Sequence, residues 1–139
     1  MSTTLSPERI ELGRFFTVTA RRFRDGDRRP MEMFSPAIDA EWHELLTSPE
    51  YADFCTETAG MPLGHAPFIG VGEISWVQAY EEMFGSLPEI WFTDKDGQVD
   101  REALNRYRDT GVVVAEWDCG PTTGDGDDAV PERRETATR

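Results

Sequence analysis

Apolar residues recur at helical spacing through most of this chain. Leu12, Phe15, Phe16, Thr19, Ala20 and Phe23 share one face of a helix that begins at Ser6, where a serine N-cap, Pro7 and Glu8 supply the cap, the pre-set φ and the acidic first turn. Gly26 is its stop. The same start recurs at Ser35-Pro36, followed by a stripe of Ile38, Trp42, Leu45 and Leu46, and again at Ser48-Pro49-Glu50, followed by Tyr51, Phe54, Cys55 and Thr58 and then Gly60. With only Thr47 and Ser48 between them, these two helices are expected to form a tight antiparallel or steeply angled hairpin. Residues 61–72 hold Gly64, Gly70, Gly72, Pro62 and Pro67 and read as a loop. Glu73 to Phe84 is a fourth helix with Ile74, Val77, Tyr80, Met83 and Phe84 inward.

The pattern changes after Gly85. Glu89 to Thr93 and Val112 to Trp117 are short and β-prone and are expected to pair, with a helix from Arg101 to Asp109, capped by Asp100, between them. The prediction is a mainly α domain of about five helices, with a short two-stranded β element near the C-terminus, over residues 1–119. Residues 120–139, nearly devoid of apolar side chains, read as a disordered acidic tail.

Composition narrows the partners. Fourteen basic against twenty-seven acidic residues give a net charge of −13, which repels nucleic-acid backbones and anionic membranes. Two cysteines are too few for a disulfide framework in 139 residues, and no secretion signal or long apolar run is visible, so the expected address is cytoplasmic with no membrane span. Residues 1–29 carry seven arginines against four acids, whereas residues 30–100 carry fourteen acids against Lys95 alone. Either segment could dock a protein partner or a second copy of the chain, although arginines near the end of the first helix also complement its dipole.

The chemistry available is sparse. His43, His65, Cys55 and Cys119 are the whole stock of soft metal ligands, and four is the number a tetrahedral structural zinc takes. On an ideal hairpin, His43 and Cys55 lie at depths of ~7.5 and ~10.5 Å from the turn on facing helices and could meet. His65 in the glycine-rich loop and Cys119 at the end of the last strand could complete the set. Asp39, one turn before His43, could hold its second ring nitrogen. The spacing itself is not diagnostic, and the same residues fit a core-edge histidine bonded to Asp39 and a small buried cysteine. A cysteine nucleophile at Cys55 with His43 as base fits poorly, because a mid-helix apolar face amid Glu50, Asp53 and Glu57 disfavours the thiolate. Asp94 to Asp100 looks like the middle of a calcium loop, but Phe92 and Ala103 stand where the first and last carboxylates belong. A polar turn leading into a helix is the better account.

The order Asp39-Ala40-Glu41-Trp42-His43, Tyr51-Ala52-Asp53-Phe54-Cys55 and His65-Ala66-Pro67 resembles the conserved domain of plant glycine-rich domain-containing proteins and their bacterial relatives. The resemblance spans roughly residues 36–92, including Leu87-Pro88 and Trp91. It departs at Gly64, where the family pattern has the first of two adjacent histidines, and in the tail, where only Cys119 stands for a cysteine- and glycine-containing segment. The resemblance implies no particular reaction, but its recurrent motifs favour metal at His43, Cys55 and His65. The resulting expectation is a zinc-binding helical protein with His43, Cys55, His65 and Cys119 as ligands, Asp39 and Glu44 beside them, and Trp42 and Trp117 walling the pocket. Closure by Cys119 makes the metal structural, whereas water in its place makes the centre hydrolytic, with Glu44 or Asp39 as base. The alternative is a metal-free accessory or interaction protein whose acidic middle or arginine-bearing first helix docks a protein partner or a second copy of the chain.

Overall fold

A computed structural model describes residues 6–27 and 29–123. It is mainly helical with one two-stranded antiparallel sheet: α1 (Pro7–Arg24), α2 (Pro36–Leu46), α3 (Tyr51–Ala59), β1 (Leu63–Glu73), α4 (Val77–Phe84), a 3-10 turn (Glu89–Phe92), α5 (Arg101–Thr110) and β2 (Val114–Thr123). Two of the three Ser-Pro signals cap as expected. Ser6 Oγ accepts from Arg9 N at 3.1 Å and Ser35 Oγ from Ile38 N at 3.2 Å. Ser48 instead accepts from Glu50 N at 3.0 Å, holding a turn, and α3 begins only at Tyr51. Asp100 caps α5 through Ala103 N at 3.1 Å.

α1 is the axis of the domain, and α2, α3 and α4 pack on it. Its Phe15 meets Trp42, Trp76 and Trp91 at ring-centroid distances of 6.0, 5.2 and 5.8 Å, so three elements converge on one aromatic centre. A carboxylate sits in the same layer. Glu11 is buried and accepts from Tyr80 Oη at 2.6 Å and Trp91 Nε1 at 3.0 Å, while Arg14 Nη1 lies 3.1 Å from its other oxygen. Every polar group in this knot has a partner, which is the condition for burying one.

The β element differs from the expectation. Val114 to Trp117 is a strand, continuing to Thr123, but its partner is Leu63–Glu73, the stretch read from its glycines as a loop. Those glycines mark close approaches within the ribbon: a Cβ on Gly70 would lie 2.5 Å from Trp117 Cζ2, and one on Gly120 would lie 2.7 Å from the Met31 carbonyl oxygen. Glu89–Phe92 forms a 3-10 turn because consecutive Trp91 and Phe92 are both buried, which an alternating strand cannot do on one face. Glu73 ends β1, so the fourth helix starts at Val77. Residues 120–123, assigned to the tail from sequence, belong to β2, and residues 124–139 lie outside the described residues. Among the described residues no helix is long and apolar enough to cross a membrane.

Candidate metal centre

α2 brings Asp39 and His43 onto one helical face, four residues apart, and the ribbon brings His65 and Cys119 onto one sheet face. His65 pairs with Pro121 and Pro67 with Cys119, so His65 and Cys119 are diagonal neighbours across the strands. One ligand atom from each of Asp39, His43, His65 and Cys119 lies within 4.8 Å of all the others. Cys119 Sγ donates to Asp39 Oδ1 at 3.0 Å, His43 Nε2 lies 3.4 Å from the same oxygen, and the two imidazole rings are 4.5 Å apart.

The cluster is graded from dry to wet. Cys119 is 2 % exposed, whereas the side chains of Asp39 and His43 are 25 % and 55 % exposed. Burial, assisted by the Asp39 carboxylate, raises the Cys119 thiol well above its ordinary pKa. Burial, and after it the neighbouring His43, lowers the pKa of His65 and favours its neutral imidazole, the form that ligates metal. His65 Nε2 is buried and has no hydrogen-bond partner, an arrangement that costs about 1–3 kcal/mol unless something completes it.

The structure places Cys55 elsewhere. Both α2 and α3 pack against α1, and Cys55 does not join His43 in the group of potential ligands. Cys55 is buried on the α3 side, with Sγ 3.9 Å from the Leu63 carbonyl oxygen, and it is outside the four-residue group. Asp39, read as an outer partner of His43, stands in the group itself. Glu44 is exposed and its carboxylate makes no hydrogen bond or ion pair among the described residues.

Trp42 is fully buried with its ring 4.6 Å from that of His65, forming the inner wall of the cluster. Its Nε1 donates to Tyr51 Oη at 3.2 Å, and Tyr51 donates to the Leu63 carbonyl at 2.7 Å. This relay fixes the start of β1 two residues before His65. The sequence marks Tyr51 as a helix-stripe position and the first residue of a motif, and nothing local to it signals a long-range bond. Trp117 packs on Gly70 and lies 5.7 Å from Phe68, with its Nε1 buried and unpartnered. No known family model, curated protein or solved structure matches the chain.

Proposed function

We propose that this is a metal-binding protein whose Asp39, His43, His65 and Cys119 hold one divalent ion, and that the ion is zinc. The observation that carries the reading is the convergence of these four side chains from two distant parts of the chain, with a buried, partnerless nitrogen on His65. Bonds of about 2.0–2.3 Å to a tetrahedral zinc imply ligand-to-ligand separations of roughly 3.3–3.8 Å. The Asp39 to Cys119 and Asp39 to His43 separations of 3.0 and 3.4 Å are close to that scale. One thiolate, two imidazoles and a carboxylate form a borderline-soft donor set that suits zinc better than calcium or magnesium.

On this reading the centre is structural. Four protein ligands close the coordination sphere, and the ion bolts α2 to the ribbon at the place where Cys119 enters the core. Binding requires the Cys119 thiol proton to leave for solvent, which the quarter-exposed Asp39 carboxylate beside it can relay before it ligates. Kinship with the glycine-rich domain-containing proteins belongs to the same proposal. Asp39 and His43 would be the working residues of the first motif and His65 of the third, with Tyr51 and Cys55 of the second positioning the strand.

Cobalt(II) titration of the untagged protein tests this. Wild type is expected to develop the intense visible bands of a tetrahedral ion together with a sulfur-to-metal charge-transfer band, and Cys119→Ser is expected to lose the latter. A folded wild type that takes up no cobalt or zinc leaves the metal-free accessory reading in its place.

A further inference from the structure

Large aliphatic side chains reach solvent mainly on the ribbon. Among the described residues Ile69 and Val71 on β1 and Val114 on β2 are 81 %, 69 % and 44 % exposed, and only Ile10 on α1 joins them. The main chain beside them is open as well. Ile74 N donates to the Val113 carbonyl at 2.9 Å, and in that phase Gly72 bonds Ala115 and Gly70 bonds Trp117 across the ribbon. Val71 and Glu73 therefore turn their N–H and C=O groups to the far edge of β1, and neither makes a backbone hydrogen bond there among the described residues. Such an edge is a template for another strand.

Charge decides which strand. A net charge of −13 makes most surfaces of this chain repel a second copy, yet β1 carries no carboxylate before Glu73. A two-fold axis at Val71 sets Val71 opposite the same residue of the second copy, exchanging two N–H···O bonds, and sets Glu73 opposite the second copy's Ile69. The two Glu73 residues are then four positions apart along the strands, about 14 Å, and the two Glu116 residues, each beside its own Val71, are three strand spacings apart, also about 14 Å. Both separations exceed the Debye length of about 8 Å at physiological salt. The outer edge of β2 offers no equivalent, because Glu116 faces outward on it, Asp94 and Asp100 line the adjoining cleft, and Met33 already covers Cys119. On β1 the open stretch is also bounded: Pro67 has no N–H to give, and the register shift between Pro67 and Gly70 bends the strand.

We propose that β1 pairs with β1 of a second copy, antiparallel about Val71, so that two ribbons join into one four-stranded sheet. The two Val71 side chains then lie side by side and shield each other from water. The contact is short, so the dimer is weak and reversible, and the two-fold closes it at two copies. The inference does not depend on the metal reading.

Sedimentation of the full chain over a range of concentrations tests it, with hydrogen exchange at the two ends of that range. Val71→Asp places two carboxylates opposite each other at the axis, and Val71→Pro removes the outward N–H while leaving every bond between β1 and β2 in place. The expected result is a monomer–dimer equilibrium whose dissociation constant each variant raises about tenfold or more, with circular dichroism unchanged. The Val71 amide is expected to exchange freely in the monomer and to be protected in the dimer, whereas the Gly70 and Gly72 amides are protected in both. A wild type that stays monomeric up to about 1 mM would overturn the proposal. So would a dimer that both variants leave intact, a ladder of larger oligomers, or a Val71 amide protected equally in the monomer, since another part of the chain would then cover the edge.

Discussion

The Cys119 thiol donates to Asp39 Oδ1 across 3.0 Å, joining residues eighty positions apart, one on α2 and one on β2. A thiol to carboxylate bond is a weak way to close a fold, because the donor is poor and the acceptor would otherwise keep its water. The same two atoms are both good metal ligands once the thiol proton is gone. That dual reading separates the two kinds of cysteine in this chain.

Replacing Cys55 and Cys119 should therefore have different consequences. Cys55→Ala leaves the four-residue group intact and removes a buried sulfur from the packing around Leu63, at an expected loss of about 1–2 kcal/mol with zinc binding unchanged. Cys119→Ala is expected to lower zinc affinity by two or more orders of magnitude. Urea unfolding and zinc titration of the two variants check both halves.

His65→Phe gives a sign that packing alone would not. Substitution by an apolar ring removes a buried nitrogen that has no hydrogen-bond partner, so in chelator-treated protein it is expected to be neutral or stabilising, within about 1 kcal/mol. With zinc present the order reverses, since wild type gains binding energy that the variant lacks. Melting temperatures with and without zinc show whether the two curves cross.

Gly70→Ala places a Cβ 2.5 Å from Trp117 Cζ2 and 2.8 Å from Cε2, and the indole must move to admit it. The expected cost is about 1–3 kcal/mol, with much of it relieved in combination with Trp117→Ala. Denaturation of the single and double variants measures that coupling, and additive losses would mean that the ribbon does not hold Trp117 against Gly70.

Acid sensitivity should originate in part at Asp27. The Arg29 side chain, at 3.0 and 2.8 Å, and then Arg22, at 3.2 and 3.4 Å, hold its carboxyl below the usual carboxylate range. A carboxylate with a depressed folded pKa contributes stability that is fully present above its unfolded value, near pH 4, and is lost as pH falls through the folded one. Asp27→Asn also weakens compensation of the Arg22 guanidinium, whose side chain is 4 % exposed, at about 1–2 kcal/mol. Stability measured from pH 7 down to pH 3 should show the variant less stable at neutral pH and the difference shrinking in acid.

The helices were legible because their signals are local. Ser6 and Ser35 cap where the sequence places them, the stripe Leu12, Phe15 and Phe16 faces the core, and Asp100 starts α5. β1 was not legible, because Gly70 and Gly120 carry the same letter whether a chain turns or another group presses against it, and only the partner surface distinguishes the two. The candidate site was partly legible. His43, His65 and Cys119 could be nominated by scarcity, but choosing between Asp39 and Cys55 depended on an α2 to α3 angle that a two-residue linker does not specify. Nothing local to Glu11 signals its burial, because the donors that make it tolerable, Tyr80 and Trp91, are far away in sequence.

The most direct test of the central claim is the zinc content of untagged protein, saturated with zinc and dialysed, for wild type, Cys55→Ala, His43→Ala and Asp39→Ala. The account predicts about one equivalent in wild type and in Cys55→Ala, with little or none in His43→Ala and Asp39→Ala. No zinc in folded wild type, or zinc that is lost with Cys55 and kept without Asp39, would contradict it.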